Sequence, residues 1–302
     1  MKKSSLRKSI LASLAVVPLA ALLAGCAGNA GTADDASGEN ETVKIGVVGA
    51  SDPYWETYVD AAADEGITVE LVDFADYNQP NPALAEGEVD LNQFQHIIYL
   101  AQFNEANGED LVPVGATAIY PLGLFSSQYD SVEDIPDGAT VAVPNDPSNL
   151  ARALLVLQSA DLITLTGGGS TYSTTAEVDE SKSRVKVTEL DPTLTATSLP
   201  DVAAAIVNND FITDAGLDAT DAIAQDDPSD PNALPYVNIF AARAEDADNP
   251  TYKKLVEIYQ DTKAVTDGVI ENSGGTAVMV TTPVEDLVAS LKTEQENIAK
   301  QG

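Results

Sequence analysis

Short apolar runs alternate with longer amphipathic segments along most of the chain. Val43–Val48 reads as an apolar strand, and the next segment predicts a helix from Tyr54 to Glu65 that ends at Gly66. Residues Ile67–Phe74 alternate between apolar and polar positions, as a strand does. Strands that alternate with helices in this way predict βαβ units and a largely parallel sheet.

The same alternation continues to the end of the chain. Helices are predicted at 82–89, 99–106, 202–206, 252–259 and 283–300, and strands at 111–118 (continued by 122–126), 140–143, 185–190 and 236–241. A further helix follows Asp146 and Pro147, a favourable N-cap and first helical residue. Residues 164–176 and 218–235 are rich in small, polar or acidic residues and are interpreted as exposed loops.

Two such sets of strands and helices predict an α/β protein with two lobes and a cleft between them. We expect lobe 1 to comprise residues 43–120 and 238–302, and lobe 2 to comprise residues 121–237. Ligand sites in these sheets lie beyond the carboxyl ends of the strands.

The first residues have the features of a secretion signal. Residues 1–25 carry a basic start and an apolar stretch that is too short to span a bilayer, and they end in Leu23-Ala24-Gly25 before Cys26. This ending resembles the bacterial lipobox, which implies cleavage before Cys26, lipidation of Cys26 and a protein anchored on the extracytoplasmic side of a membrane. We expect residues 26–42 to be the lipidated cysteine and a flexible tether. The alternative is a plain signal peptide with an incidental cysteine.

Charge and residue usage exclude several classes of function. The net charge of −33 argues against nucleic acid as a partner, because phosphate contacts need Lys and Arg. The chain has one His and one Cys, and it lacks the phosphate-binding and dinucleotide-binding glycine motifs and the hydrolase nucleophile motif. We therefore expect no metal and no cofactor. Acidic pairs such as Asp226-Asp227 are interpreted as surface solvation.

Two groups of residues are candidates for binding a small molecule. Asn149 and Arg152 lie in the first turns of a predicted helix, where free N–H groups and a guanidinium favour a carboxylate. Phe94, His96 and Tyr99 supply aromatic rings that suit a thioether or a small apolar side chain. The alternatives are an exposed Arg152 paired with a neighbouring acid, and ordinary core aromatics with a structural histidine.

Several longer motifs carry a resemblance to a known family. They are Val72-Asp73-Phe74-Ala75-Asp76-Tyr77 with Gln79-Pro80-Asn81, then 83–90, Phe94-Gln95-His96 with Tyr99, Val143–Asn149 with Arg152, Ala205–Asn208 and Tyr236–Ile239. In this order they resemble the methionine-binding lipoproteins of ABC importers, the MetQ/NlpA family.

The resemblance implies a type II periplasmic-binding-protein fold that clamps its ligand in the inter-lobe cleft and delivers it to the permease and ATPase of an importer. It implies roles for eight residues: Tyr77, Phe94, His96 and Tyr99 around the ligand side chain, Arg152 on the α-carboxylate with Asn149 nearby, and Asn208 and Asn238 at the amino-acid end. The implied ligand is methionine, and no enzymatic activity is implied.

Three stretches depart from the family pattern: the turn at 49–55, where the family often has a Gly-Pro-His-like sequence, residues 208–211, and the C-terminal end. The stretch that often reads Asn-Gly-Asn-Tyr is Asn208-Asn209-Asp210-Phe211 here. A different amino acid, D-methionine or a short peptide remains an alternative ligand. A surface scaffold without a transport role and an enzyme on the same fold are the alternatives from other classes.

Overall fold

The computed structural model describes residues 42–230 and 232–301, so the signal segment, Cys26 and the tether before Thr42 lie outside the described residues. The strands are β1 (Thr42–Val48), β2 (Thr68–Phe74), β3 (Leu91–His96), β4 (Val112–Ala116), β5 (Ala118–Ile119), β6 (Gly123–Phe125), β7 (Thr140–Pro144), β8 (Lys186–Leu190), β9 (Ala204–Val207), β10 (Ala224–Gln225), β11 (Asn238–Ala242) and β12 (Val278–Met279). The helices are α1 (Pro53–Asp64), α2 (Pro80–Ala85), α3 (Ile97–Asn107), α4 (Pro147–Ser159), α5 (Pro192–Thr195), α6 (Pro250–Asp261), α7 (Lys263–Asn272) and α8 (Val284–Ala299).

The first of two five-stranded sheets has the order β2-β1-β3-β11-β4. Strands β1, β2 and β3 pair in parallel, and β11 is antiparallel to both of its neighbours. An aromatic cluster beneath this sheet joins α1, α6 and β11 through Trp55, Tyr58, Phe240 and Tyr259, all of them buried. This cluster fixes the helices of lobe 1 against the sheet.

The second sheet has the order β10-β6-β9-β7-β8, again with one antiparallel strand, β6, among its parallel ones. Helix α4 packs on it through Leu150, Ala153, Leu154 and Leu157, the face that the sequence spacing predicts. Asp146 caps this helix by accepting a hydrogen bond from the Asn149 N–H at 3.0 Å. The two sheets therefore form two lobes of the same general design.

The chain passes between the sheets twice, through residues 120–122 and through residues 226–237. The prediction that 122–126 continues the strand before it is wrong, because β6 pairs with β9 and β10 in the second sheet. Residues 120–122 thus link the lobes instead of extending one of them.

The prediction of a helix at residues 202–206 is also wrong. Strand β9 lies there instead; it is the central strand of the second sheet and is buried throughout. A strand buried on both faces shows no alternation, and its alanines favour a helix when the sequence is considered alone.

Helix α7 was not predicted. Its Gly268 weakens the helix pattern, yet a Cβ at this position would lie 2.9 Å from Cβ of Tyr54 in α1. The glycine therefore permits the close packing of α7 on α1. Among residues 42–230 and 232–301, no helix has the length and apolar character needed to cross a bilayer.

Candidate functional site

All eight residues that were predicted for the site line one cavity between the lobes, and they come from both sheets. The lining residues are Tyr77, Phe94, Gln95, His96, Tyr99, Tyr120, Pro121, Leu122, Asn149, Arg152, Asn208, Asn209 and Asn238. Most of them lie at or just beyond the carboxyl ends of β3, β7 and β9, where ligand sites of such sheets are expected.

One wall of the cavity is aromatic. The ring centroid of Tyr77 lies 5.9 Å from that of Phe94 and 6.1 Å from that of Tyr99, while Phe94 and Tyr99 are 5.6 Å apart. The Tyr99 hydroxyl donates to the backbone carbonyl oxygen of Tyr77 at 2.9 Å, which fixes the ring of Tyr99. Phe211, from lobe 2, lies 5.1 Å from Tyr77 and extends this wall. Such a set of ring edges and faces suits an unbranched apolar or thioether side chain.

His96 ends β3 and is held as a neutral imidazole. The backbone N–H of Tyr99 donates to Nδ1 at 3.2 Å, so Nδ1 carries no proton. Nε2 lies 3.3 Å from Oδ1 of Asn149, whose amide nitrogen is turned towards Asp146, so we assign the proton to Nε2. Burial, and then the nearby charge of Arg152, lower the pKa of His96 to about 3.

The only histidine of the chain should therefore not titrate between about pH 5 and 8. Because the pKa of His96 is lower in the native state than in the unfolded state, protonation favours unfolding. The contribution of His96 to stability is therefore constant above about pH 6.5 and falls as the pH drops below that value. Imidazole ¹⁵N–¹H spectra of the tag-free mature protein should show one neutral Nε2–H tautomer throughout. A titration midpoint near the ordinary histidine value of about 6.5 would contradict this assignment.

Arg152 is buried and already has a carboxylate partner. Its Nε donates to Oδ2 of Asp226 at 2.5 Å, and its Nη2 donates to Oδ1 of Asp226 at 3.1 Å and to the carbonyl oxygen of Tyr120 at 2.8 Å. Its Cζ lies 4.3 Å from the ring centroid of Tyr236. Within the described part of the chain, Nη1 has no hydrogen-bond partner. This nitrogen is the donor of Arg152 that is available to a ligand.

The polar groups opposite the aromatic wall are amides. Asn238 is the first residue of β11 and pairs in register with His96 of β3. Asn208 follows β9, and its buried Oδ1 accepts no hydrogen bond from the described residues. A buried acceptor without a donor is costly, and a ligand ammonium or N–H group at this point would supply one.

The N-terminus of α4 does not offer the anion site that the sequence suggested. The carboxyl of Asp146 accepts from the backbone N–H and the side-chain amide of Asn149 and from the Ser148 hydroxyl. Burial raises the pKa of Asp146, and these hydrogen bonds oppose that rise. Asn149 is therefore oriented by Asp146 and presents its oxygen to His96.

A contact at the edge of the site joins the two lobes. The Tyr77 hydroxyl donates to Oδ2 of Asp210 at 2.7 Å. Desolvation raises the pKa of the Asp210 carboxyl to about 7, and the hydrogen bond from Tyr77 acts against this rise. Asp210 stands where the family pattern often has Asn, so this carboxyl is a feature of the present chain.

Sequence reasoning missed three parts of the site. Asp226, interpreted as a solvating surface residue, is the partner of Arg152, and a loop rich in Asp and Pro gives no signal for this. Asp210 was noted only as part of a segment that departs from the family pattern. Three buried amides, Asn81 of α2 and Asn92 and Gln95 of β3, bond to one another at 2.6 to 2.9 Å. A run of buried amides in a strand that ends at an aromatic wall could have indicated this support.

The chain is similar to several known proteins over most of its length. The D-methionine-binding lipoprotein MetQ of Escherichia coli strain K12 is 40% identical over 223 residues, which cover 72% of this chain and 81% of that protein. A nutrient-binding protein from Burkholderia cenocepacia, solved bound to methionine, is 37% identical with a TM-score of 0.73, covering 78% of this chain and 99% of that one.

A periplasmic substrate-binding protein of an ABC transporter from Coxiella burnetii has a TM-score of 0.73 at 35% identity, over 79% of this chain and all of that one. These matches confirm the predicted two-lobed α/β fold of substrate-binding proteins. The sequence of the present chain also matches the NlpA lipoprotein family over residues 43–280. The chain belongs to that family of lipoproteins.

Proposed function

We propose that the cavity between the lobes binds one free amino acid, methionine, and that the protein delivers it to an ABC importer. The observation that carries the proposal is that one cavity combines an aromatic wall with an arginine and two amides. An aromatic wall suits the thioether side chain, and the polar wall suits a zwitterionic backbone. The relatives that bind methionine support this choice of ligand.

Each residue has a proposed role in this complex. Nη1 of Arg152 binds the α-carboxylate, and Asn149 keeps His96 and the nearby backbone in place. Oδ1 of Asn208 accepts from the α-ammonium group, with Asn238 beside it. Tyr77, Phe94, His96 and Tyr99 surround the side chain.

The lobes provide the mechanism of capture. We propose that they divide near residues 120 and 237, where the chain passes between the sheets. A ligand that contacts both walls favours the closed arrangement over the open one, and the importer recognises the closed form.

Calorimetric titration of the mature domain, unfolded and refolded to remove any bound ligand, tests the proposal. L-methionine should bind with one-to-one stoichiometry and more tightly than L-norleucine, which has the same length but no sulfur. D-methionine is titrated in the same way, because the relative from Escherichia coli is named a D-methionine-binding lipoprotein. Tighter binding of another amino acid would change the substrate, whereas a folded protein that binds no amino acid would contradict the proposal.

We also propose that Cys26 carries the lipid that anchors the protein to the outer side of the cell membrane. The family is one of lipoproteins, and Cys26 is the single cysteine of the chain. When cells are given a labelled fatty acid, the label should be incorporated into the wild-type protein but not into the Cys26→Ser variant. Equal labelling of both proteins would place the lipid elsewhere.

A further inference from the structure

Asp226 lies at the start of the loop that leads back to lobe 1, and its carboxylate accepts three hydrogen bonds from residues far away in the sequence. Its Oδ1 accepts from the backbone N–H of Leu122 at 2.8 Å and from Nη2 of Arg152 at 3.1 Å, and its Oδ2 accepts from Nε of Arg152 at 2.5 Å. The Arg152 side chain is 7% exposed and that of Asp226 is 26% exposed. This ion pair is therefore largely removed from solvent.

The contacts determine the plane of the guanidinium. A bidentate carboxylate on Nε and Nη2 lies in that plane, the Tyr236 ring covers one face, and the Tyr120 carbonyl holds Nη2 a second time. Nη1 is then the one nitrogen of the group without a partner among the described residues. Asp226 also binds the segment 120–122 that links the lobes, so the guanidinium is placed relative to both walls of the cleft.

The ion pair also changes the charge that a ligand meets. An unpaired buried arginine attracts any carboxylate, whether or not the ligand carries an ammonium group. Arg152 paired with Asp226 has no net charge, so an amino acid zwitterion binds beside it without leaving a charge uncompensated. A carboxylate that lacks the amino group leaves one negative charge in the site.

We propose that Asp226 is a positioning residue that fixes Arg152 and balances its charge, so that the cleft selects zwitterions over simple carboxylates. This inference rests on the proposed function, because it assumes that Arg152 receives the carboxylate of an amino acid. It assigns a specificity role to a residue that touches the ligand only through Arg152.

The test compares two probes, L-methionine and 4-(methylthio)butanoate, which is methionine without its amino group. The selectivity is the Kd of 4-(methylthio)butanoate divided by the Kd of L-methionine. In Asp226→Asn this ratio should fall by at least about fivefold, because the positive charge of Arg152 is no longer balanced and favours the anion. Asp226→Glu keeps the charge and should keep most of the selectivity. Asp221→Asn, the same charge change at an exposed position before β10, should leave the ratio within about twofold of the wild type.

If Asp226 had a purely structural role, Asp226→Asn would lower the affinity for both probes by the same factor. An unchanged ratio of the two Kd values would therefore overturn the inference. A second readout does not need a ligand: the Nε–H resonance of Arg152, assigned with Arg152→Lys, should be protected from exchange in the wild type and exposed in Asp226→Asn. If the wild type binds neither probe, the proposed function fails, and this resonance still decides whether Asp226 fixes Arg152. Equal protection in both proteins would refute that step.

Discussion

Replacing Arg152 with alanine should raise the Kd for methionine by at least about tenfold, because a ligand carboxylate loses its charged donor in a buried site. The structure supports this expectation through Nη1, the nitrogen of Arg152 that the contacts with Asp226 and Tyr120 leave available. Calorimetry on the ligand-stripped domain measures the change. Affinity equal to that of the wild type would remove Arg152 from the site.

The same substitution leaves Asp226 without its partner, so it should also lower thermal stability. Arg152→Lys separates the two effects, since it keeps the positive charge but loses the planar fork. We expect Arg152→Lys to melt closer to the wild type and still to bind methionine poorly. Arg184→Ala is the control: Arg184 pairs with Asp137 and donates to the Ile135 carbonyl oxygen away from the cavity, so its loss should leave methionine affinity unchanged and lower the melting temperature less than Arg152→Ala does.

Replacing Asn208 with leucine should abolish most methionine binding without destabilising the ligand-free protein. The side chain is buried, and its Oδ1 has no donor among the described residues, so the leucine removes a desolvated acceptor and no hydrogen bond of that atom. The expected loss of affinity is again at least about tenfold, because the ligand ammonium loses its acceptor. Opposite responses of affinity and melting temperature distinguish a ligand contact from a structural residue.

Asn104→Leu provides the contrast. Oδ1 of Asn104 is also buried without a partner, but its Nδ2 donates to the carbonyl oxygen of Leu111 at 2.8 Å, and the residue does not line the cavity. Asn104→Leu should therefore lower stability and leave methionine affinity unchanged. If Asn208→Leu behaves like Asn104→Leu, the proposed role of Asn208 is wrong.

Much of the fold follows from local patterns in the sequence. Strands with solvent on one side and helices with a cap and an apolar face, such as α4 with Asp146 and Pro147, were predicted close to their observed bounds. Strand β9 was mistaken for a helix because burial on both faces removes the alternation that identifies a strand. Helix α7 was missed because the glycine that lets it approach α1 also lowers its helix propensity.

The same distinction applies to the residues of the site. Residues within recognisable motifs, such as Phe94, His96 and Arg152, could be named from the sequence and are brought together by the structure. Asp226 could not be named, because its partner lies 74 positions away in the chain and its own loop has no pattern. Ion pairs of this kind depend on how segments that are distant in the sequence fold together, and a single sequence records no sign of them.

The central claim is that one amino acid lies between the lobes with its side chain on the aromatic wall and its carboxylate on Arg152. A crystal structure of the ligand-stripped protein with L-selenomethionine measures this directly, because the selenium of the ligand gives an anomalous signal that the chain's own methionines lack. The predicted result is one selenium peak in contact with the rings of Tyr77, Phe94 and Tyr99, with the ligand carboxylate on Nη1 of Arg152. A ligand bound with its carboxylate away from Arg152, or a selenium peak outside the cleft, would contradict the account.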